Sequence, residues 1–233
     1  MSNYLELCQF LRQETVDSGT GPSTVVAQTG ELARMVKWVK DSYTEIQQAN
    51  ENWQWLRKDC TIQTVAADGV YAFGDFTDVL AAAVISRFSR WHTGQFDWRC
   101  YLTSAGVAGE YFLQWMDWDT FRFIYRRGTQ TDGQPVFFSV DPQQNLVLGP
   151  VPSAIYTVNG IYQQGPQILA ANSDTPEMPS RFHMLIVYEA MSKYGGNRVA
   201  PEAMLRAIAE GGPLRSALEL NQLPRMSYGM PLA

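Results

Sequence analysis

The sequence predicts an α+β chain: a four-helix bundle formed by N- and C-terminal helical pairs, with a β-rich insertion domain between them. Two observations carry this. Apolar residues recur at helical spacing before residue 59 and again after residue 177, and between them the pattern shortens to alternation broken by Gly, Asp and Pro. The bundle is therefore assigned to residues 1–59 plus 177–233, the insertion to 60–176, and an extended C-terminal tail to 224–233.

The first helix is expected from Tyr4 to Thr15, with Tyr4, Leu7, Cys8 and Leu11 on one face. Asn3 followed by Glu6 has the spacing of a capping box. The run Asp17-Ser18-Gly19-Thr20-Gly21-Pro22-Ser23 is turn chemistry and ends it. A second helix is expected from Gly30 to Arg57, because Leu32, Val36, Val39, Tyr43, Ile46 and Trp53 form a single stripe. At 1.5 Å per residue it would be roughly 40 Å long. Trp53 and Trp55 end it two residues apart and so point different ways. One is expected to pack in the bundle, the other against the insertion or the next subunit.

From Cys60-Thr61-Ile62-Gln63-Thr64-Val65 onward the chain is rich in β-branched residues and reads as strands. Further strands are expected at Val84 to Phe88, Asp97 to Leu102, Val136 to Val140, Leu146 to Leu148 and Ile155 to Gln163. Trp115 to Arg126 interrupts them with helical spacing at Trp118, Phe121 and Tyr125 or Ile124. After Asn172-Ser173-Asp174-Thr175-Pro176 the helical period returns. Pro179 suits a first helical position, and Phe182 to Tyr194 is apolar almost all round, so that helix is buried on more than one side. Gly195-Gly196-Asn197 reads as its C-cap. A last helix from Pro201 is expected to turn Met204, Leu205 and Ile208 inward, to break at Gly211-Gly212-Pro213 and to resume to about Gln222.

Composition excludes several classes. Charged residues are 18% and hydrophobics 45%, a folded rather than disordered composition, and aromatics reach 12%, which suits buried subunit interfaces and equally a rich monomer core. A net charge of −5 argues against tight nucleic-acid binding, which needs a basic surface. No apolar run of about 18 residues is present, so no membrane span is expected. The opening residues lack a signal-peptide pattern. Cys8, Cys60 and Cys100, odd in number and widely spaced, read as free thiols of a reducing cytoplasm.

Catalytic chemistry is hard to find. His92 and His183 have no partner at metal-ligand spacing, so neither a metal nor a cofactor is expected. Gly19-Thr20-Gly21-Pro22 lacks the Gly-Lys-Ser/Thr of a phosphate loop. Asp117 and Asp119 beside Trp118 resemble a glycosidase pair, but a helix cap is the better reading. Trp91, Trp98, Trp115 and Trp118 read as core and interface anchors ahead of a sugar-stacking surface. Arg122, Arg126 and Arg127 read as a solvated face or intersubunit ion pairs ahead of a DNA-facing patch.

The ordered set Tyr4-Leu5-Glu6-Leu7, Ser18-Gly19-Thr20-Gly21-Pro22, Gln28-Thr29-Gly30-Glu31-Leu32-Ala33-Arg34 and Trp53-Gln54-Trp55-Leu56-Arg57 is very similar to head-to-tail adaptor (connector, head-completion) proteins of tailed bacteriophages. Trp118-Asp119-Thr120-Phe121-Arg122, Pro179-Ser180-Arg181-Phe182-His183 and Leu218-Glu219-Leu220-Asn221-Gln222-Leu223-Pro224 extend the resemblance over nearly the full chain. The resemblance implies a non-enzymatic virion protein of the neck. It would form a homo-oligomeric ring, usually of twelve subunits, under the portal protein and above tail or neck proteins, leaving a channel through which double-stranded DNA passes. Gly211-Gly212-Pro213 departs from the uninterrupted final helix expected of such proteins. On this reading Trp53 and Trp55 mark the bundle–insertion junction. Trp98, Trp115, Trp118, Arg122, Arg126 and Arg127 are candidates for a subunit or tail interface. Pro224, Arg225, Met226, Tyr228, Met230 and Leu232 form a tail expected to dock on the portal or a neighbouring subunit. The alternative is a tail or baseplate component that binds host glycan through the Trp-rich insertion.

Overall fold

The computed structural model describes residues 2–15, 21–198 and 200–224, which hold five α-helices and two β-sheets. The helices are α1 (Tyr4–Glu14), α2 (Gly30–Gln48), α3 (Trp118–Tyr125), α4 (His183–Arg198) and α5 (Pro201–Gln222). The chain forms two units, Met1–Leu56 with Pro166–Ala233, and Arg57–Gly165. The first holds α1, α2, α4 and α5; the second holds α3 and every strand. The expected turn at Asp17 to Thr20 lies outside the described residues.

In the helical unit, α1 starts on the expected capping box. The Glu6 amide donates to Asn3 Oδ1 at 2.9 Å, and the Asn3 amide donates to Glu6 Oε2 at 3.1 Å. Tyr4, Leu7, Cys8 and Leu11 of α1 and Met35, Val39, Tyr43 and Ile46 of α2 are buried against α4. That helix supplies Leu185, Ile186, Val187, Ala190 and Met191, which fall on more than one side of it. Each fully buried Leu, Ile or Val is worth about 1.5–3 kcal/mol. Residues 166–176, which the sequence pattern assigns to the insertion, belong to the helical unit. The Tyr43 hydroxyl and the Gln47 amide hold Gln167 at 2.8 and 2.9 Å, and Leu169 lies in the helical core.

Three helices differ from the sequence expectation. First, α2 stops at Gln48 instead of reaching Arg57. The Asn50 side chain accepts from the Asn52 amide at 2.9 Å, forming an Asx turn that competes with the helix. Second, α4 continues through Gly195-Gly196-Asn197 to Arg198, and its first helical residue is His183 rather than Pro179, which precedes a single 3₁₀ turn, Ser180–Phe182. Third, α5 runs unbroken through Gly211-Gly212-Pro213. These glycines answer to packing. A Cβ on Gly195 would stand 3.0 Å from Met204 Cβ, and one on Gly211 would stand 3.2 Å from Tyr188 Cβ. They let α4 and α5 lie against each other at close range.

In the other unit the strands are β1 (Arg57–Gln63), β2 (Val70–Tyr71), β3 (Thr77–Asp78), β4 (Ala83–Val84), β5 (Phe88–Trp91), β6 (Arg99–Leu102), β7 (Tyr111–Phe112), β8 (Gln114–Trp115), β9 (Phe137–Val140), β10 (Leu146–Gly149) and β11 (Tyr156–Gln164). The first sheet runs β4-β3-β1-β11-β6-β7, with β5 also paired to β11. The second runs β2-β10-β9-β8. β11 is the spine, antiparallel to β1 along its whole length from Arg57↔Gln163 to Gln63↔Thr157. Alternation places Cys60 and Ile62 of β1, and Val158 and Tyr162 of β11, in one core with Phe138, Leu146 and Leu148 of the second sheet.

Trp98 closes that core. Its ring lies directly over Gly160 of β11, where an added Cβ would fall 2.2 Å from the indole. Its Nε1 donates to the His92 carbonyl at 2.6 Å. Phe76, Trp91 and Phe138 surround it at centroid distances of 6.0, 5.5 and 5.4 Å. Gly160→Ala should therefore expel the indole and cost about 3 kcal/mol, the upper range for overpacking. Denaturant unfolding followed by tryptophan fluorescence measures this, and a loss under 1 kcal/mol would contradict the packing.

His183 is buried, with Nδ1 accepting from the Ser2 amide at 3.3 Å and Nε2 against the Met178 carbonyl at 3.0 Å. Burial pushes its imidazole below the usual value. The unfolded chain thus binds the proton more readily. The neutral imidazole's contribution is complete above about pH 6.5 and is lost as pH falls below it. Urea midpoints of the wild type should drop more between pH 7.5 and 5.5 than those of His183→Gln.

Candidate interaction surfaces

Trp53 and Trp55 lie just before the chain passes from one unit to the other. They are not two positions on a helix. Because α2 has ended, their rings stack at 4.5 Å with an interplanar angle of 26°. Trp53 is buried, and its Nε1 is shared between the Ile46 and Gln47 carbonyls at 3.0 and 3.1 Å, satisfying acceptors that the last turn of α2 leaves open. Trp55 is half-buried and packs against the same helical core.

Of the six side chains expected at an interface, Trp98 is enclosed and belongs to the core; a tryptophan that fills the space over a glycine has no surface to offer. Trp91 is enclosed too, so a sugar-stacking platform of four tryptophans loses two of its rings. The other five cluster around α3. Asp117 caps this helix, accepting from the Thr120 amide at 3.0 Å. Thr120's hydrogen bonds hold the Asp117 carboxyl below the usual range. Asp119 is exposed, 3.8 Å from Arg122. Phe121 anchors α3 to its unit, and bare Gly149 accommodates it: a Cβ there would meet the Phe121 and Tyr125 rings at 2.8 and 2.9 Å.

With Phe121 inward, α3 turns Arg122, Phe123, Ile124, Arg126 and Arg127 outward. Phe123 is 64% exposed, with the Arg127 guanidinium 5.0 Å from its ring centroid. Trp115 is exposed, and Trp118 half-buried. Sequence reasoning singled out the arginines and tryptophans and missed Phe123. The signal was available, since Phe123 lies off the Trp118–Phe121–Tyr125 stripe.

A second surface was not anticipated. The segment Val79-Leu80-Ala81-Ala82-Ala83-Val84 links β3 to the edge strand β4 and is exposed throughout, Leu80 by 85%. Six uncharged residues in water are unusual unless they meet a partner. They are held by buried Asp78, which accepts from the Ala81 amide at 2.7 Å and from the Tyr162 hydroxyl at 2.6 Å. Burial acts to raise the Asp78 carboxyl, but these hydrogen bonds outweigh it and the pKa lies below the usual range.

The third surface is on α5. Ala207, Gly211 and Leu218 face the core, while Met204, Leu205 and Ile208, expected inward, are exposed. The helix is apolar on several sides, and α4 covers only one. Leu220, near its end, is 78% exposed. Of the expected docking tail, Pro224 is exposed; Arg225, Met226, Tyr228, Met230 and Leu232 lie outside the described residues.

No catalytic constellation accompanies these surfaces among the described residues. No group of three or more His, Cys, Asp or Glu is placed to hold a metal ion, and no helix is long and apolar enough to cross a membrane. The three cysteines are free and buried, and burial pushes the thiols up, Cys8 to about 12 and Cys100 to about 11. Such thiols are poor nucleophiles at neutral pH.

Comparison with known families decides the class. A family model described as SU10 adaptor protein matches residues 2–227. The chain belongs to the SU10 adaptor protein family. It is a phage head-tail adaptor, a structural component of the virion that associates with other head or tail proteins. No curated protein matches the chain.

In this adaptor the best-defined of the exposed apolar elements is the hairpin tip set by Asp78. Asp78→Ala strands the Tyr162 hydroxyl and the Ala81 amide, and should cost about 1–3 kcal/mol. It should also speed hydrogen exchange at the Ala81 amide relative to amides of β11. Since the depressed carboxyl stabilises only while ionised, the wild-type advantage should be present above the ordinary carboxylate range and fade as pH falls through the folded-state value.

Proposed function

We propose that the adaptor forms a homo-oligomeric ring, of about twelve copies on the family resemblance, seated between the portal protein and the tail. α1, α2, α4 and α5 make a four-helix core that builds the ring. The β-rich unit, through the α3 face and the Val79–Val84 hairpin, meets tail proteins or neighbouring subunits. The observation that carries this reading is the apolar surface left bare on an adaptor: Leu205, Ile208 and Leu220 on α5, Leu80 on the hairpin and Phe123 on α3. Large permanent interfaces are built from such surface.

The charge supports a conduit. A net −5 disfavours adhesion to the DNA backbone, so a genome passing the neck slides rather than sticks. Arg122, Arg126 and Arg127 then serve ion pairs across an interface rather than a DNA grip. Trp115 and Trp118 flank the same contact. The tail beyond Pro224 attaches the subunit to the portal or to a neighbouring copy.

Electron microscopy of the purified adaptor with its portal protein tests this. Twelve-fold rings on the portal are expected, and an adaptor that stays monomeric beside the portal refutes the reading. Deleting residues 225–233 should abolish attachment while circular dichroism and thermal unfolding of the soluble chain stay unchanged. Undiminished attachment would show that the tail plays no part.

A further inference from the structure

The α3 face has a counterpart elsewhere in the chain. On α3 and the residues that follow it, Arg122, Arg126 and Arg127 stand around exposed Phe123 and Ile124. The Arg127 guanidinium lies over the Phe123 ring, and Arg122 comes no nearer than 3.8 Å to Asp119, the carboxylate of this face. Three guanidiniums are thus set against one carboxylate around a bare aromatic ring.

The first half of α5 has the inverse arrangement. Ala207 faces the core. At about 100° per residue, Leu205 stands opposite it, with Glu202 and Ile208 on either side. Met204, Leu205 and Ile208 are 43, 67 and 58% exposed. Glu202 and Glu210 are exposed as well, and neither is paired with a cation among the described residues. Arg206, between them in sequence, is turned to Glu14 of α1, with Nη2 2.5 Å from Oε2. Burial raises the Tyr188 hydroxyl, Glu14 and Glu210 raise it further and Arg206 opposes them, so these charges lie together. Here three carboxylates are set against one guanidinium, beside three bare apolar side chains. Glu202 and Glu210 stand about 12 Å apart along the axis, which is the length of α3.

We propose that the α3 face of one copy docks on the Glu202–Glu210 stretch of α5 in a second copy, with Phe123 and Ile124 on Leu205 and Ile208 and the arginines against Glu202 and Glu210. Charge selects the occupant. A bare apolar face alone would accept any apolar partner, whereas a surplus of carboxylates beside it admits a basic apolar surface and repels an acidic one. The chain carries such a surface, of matching length, on α3. Each face is exposed within its own subunit, which leaves both to a second molecule. Two α5 faces brought together would oppose like charges, so the contact joins two different faces. Contacts of that kind run head to tail and close rings. The proposal rests on the ring reading for its supply of copies, and it assigns the α3 face to the neighbouring subunit rather than to a tail protein.

Two charge-reversed sets test this in the full chain: Arg122→Glu, Arg126→Glu and Arg127→Glu on α3, and Glu202→Arg with Glu210→Arg on α5. Sedimentation of the purified adaptor and microscopy with the portal protein are the readouts. Each set alone should weaken association of copies at least about a hundredfold, because like charges then face each other. An equal mixture of the two sets should restore it, since reversed faces then meet reversed faces and native faces meet native ones. Where circular dichroism shows a reversed set to be unfolded, Arg122→Gln, Arg126→Gln and Arg127→Gln, or Glu202→Gln and Glu210→Gln, replace it and should remove the salt dependence of association. Either reversed set associating as the wild type does overturns the proposal. So does a mixture that stays apart, because the lost contact then belongs to the portal, to a tail protein or to the subunit itself. The same samples separate the two readings. Rings that persist in both sets remove the contact and leave the ring. Wild-type pairs that obey the exchange of charge, without rings on the portal, do the reverse, and a wild type that neither pairs nor forms rings removes both.

Discussion

The helical unit depends on one constraint: α4 is apolar over most of its circumference, its polar residues Glu189, Ser192 and Lys193 keeping to one half-buried stripe. Leu185, Ile186, Val187, Ala190 and Met191 occupy more than one side of it, and a helix of that kind needs more than one neighbour to cover it. The cover comes from α1 and α2 at one end of the sequence and from α5 at the other. Neither pair of helices is a folded body alone, because the apolar stripes of α1 and α2 have α4 as their main partner. The β-rich unit is compatible with this because its chain goes out and returns in adjacent strands, Arg57 opposite Gln163. The excursion therefore begins and ends beside itself, and the closure entropy of a long loop is offset by a full antiparallel ladder.

What was legible in the sequence follows from which signals are local. The capping box at Asn3, the cap at Asp117, the alternation of β11 and the apolar run at the centre of α4 each depend on residues within a few positions of one another, and each appears where the pattern places it. The errors come from residues whose meaning is set by a distant neighbour. Gly195 and Gly211 look like breakers to any local rule, yet each is small because another helix passes within van der Waals contact. Trp98 looks like a surface anchor among other tryptophans, yet Gly160, far along the chain, leaves the space that it fills. Asn50 is the reverse case: a local signal, the Asx turn, was outweighed by an apolar stripe that continued to Trp53.

The contact surfaces were legible only in part, for a related reason. Periodicity marks apolar residues as inward, and Met204, Leu205 and Ile208 obey the period of a buried face. Their exposure is invisible until one knows that α4 covers a single side of α5. An apolar residue awaiting a second molecule and one awaiting its own core have the same sequence signature. Val79 to Val84 escaped notice because a run without charge resembles a buried strand.

The hairpin also shows why exposure here is not looseness. A mobile apolar loop would lose conformational entropy on binding, and ordering each residue's backbone costs on the order of 1–2 kcal/mol. Asp78 removes much of that cost in advance by holding the Ala81 amide and the Tyr162 hydroxyl within the subunit. The same logic applies to α3, pinned through Phe121 over Gly149, and to α5, pinned by its close approach to α4. In each case an apolar tip is carried by an element anchored within its own unit. Apolar side chains carried this way are exposed without being loose.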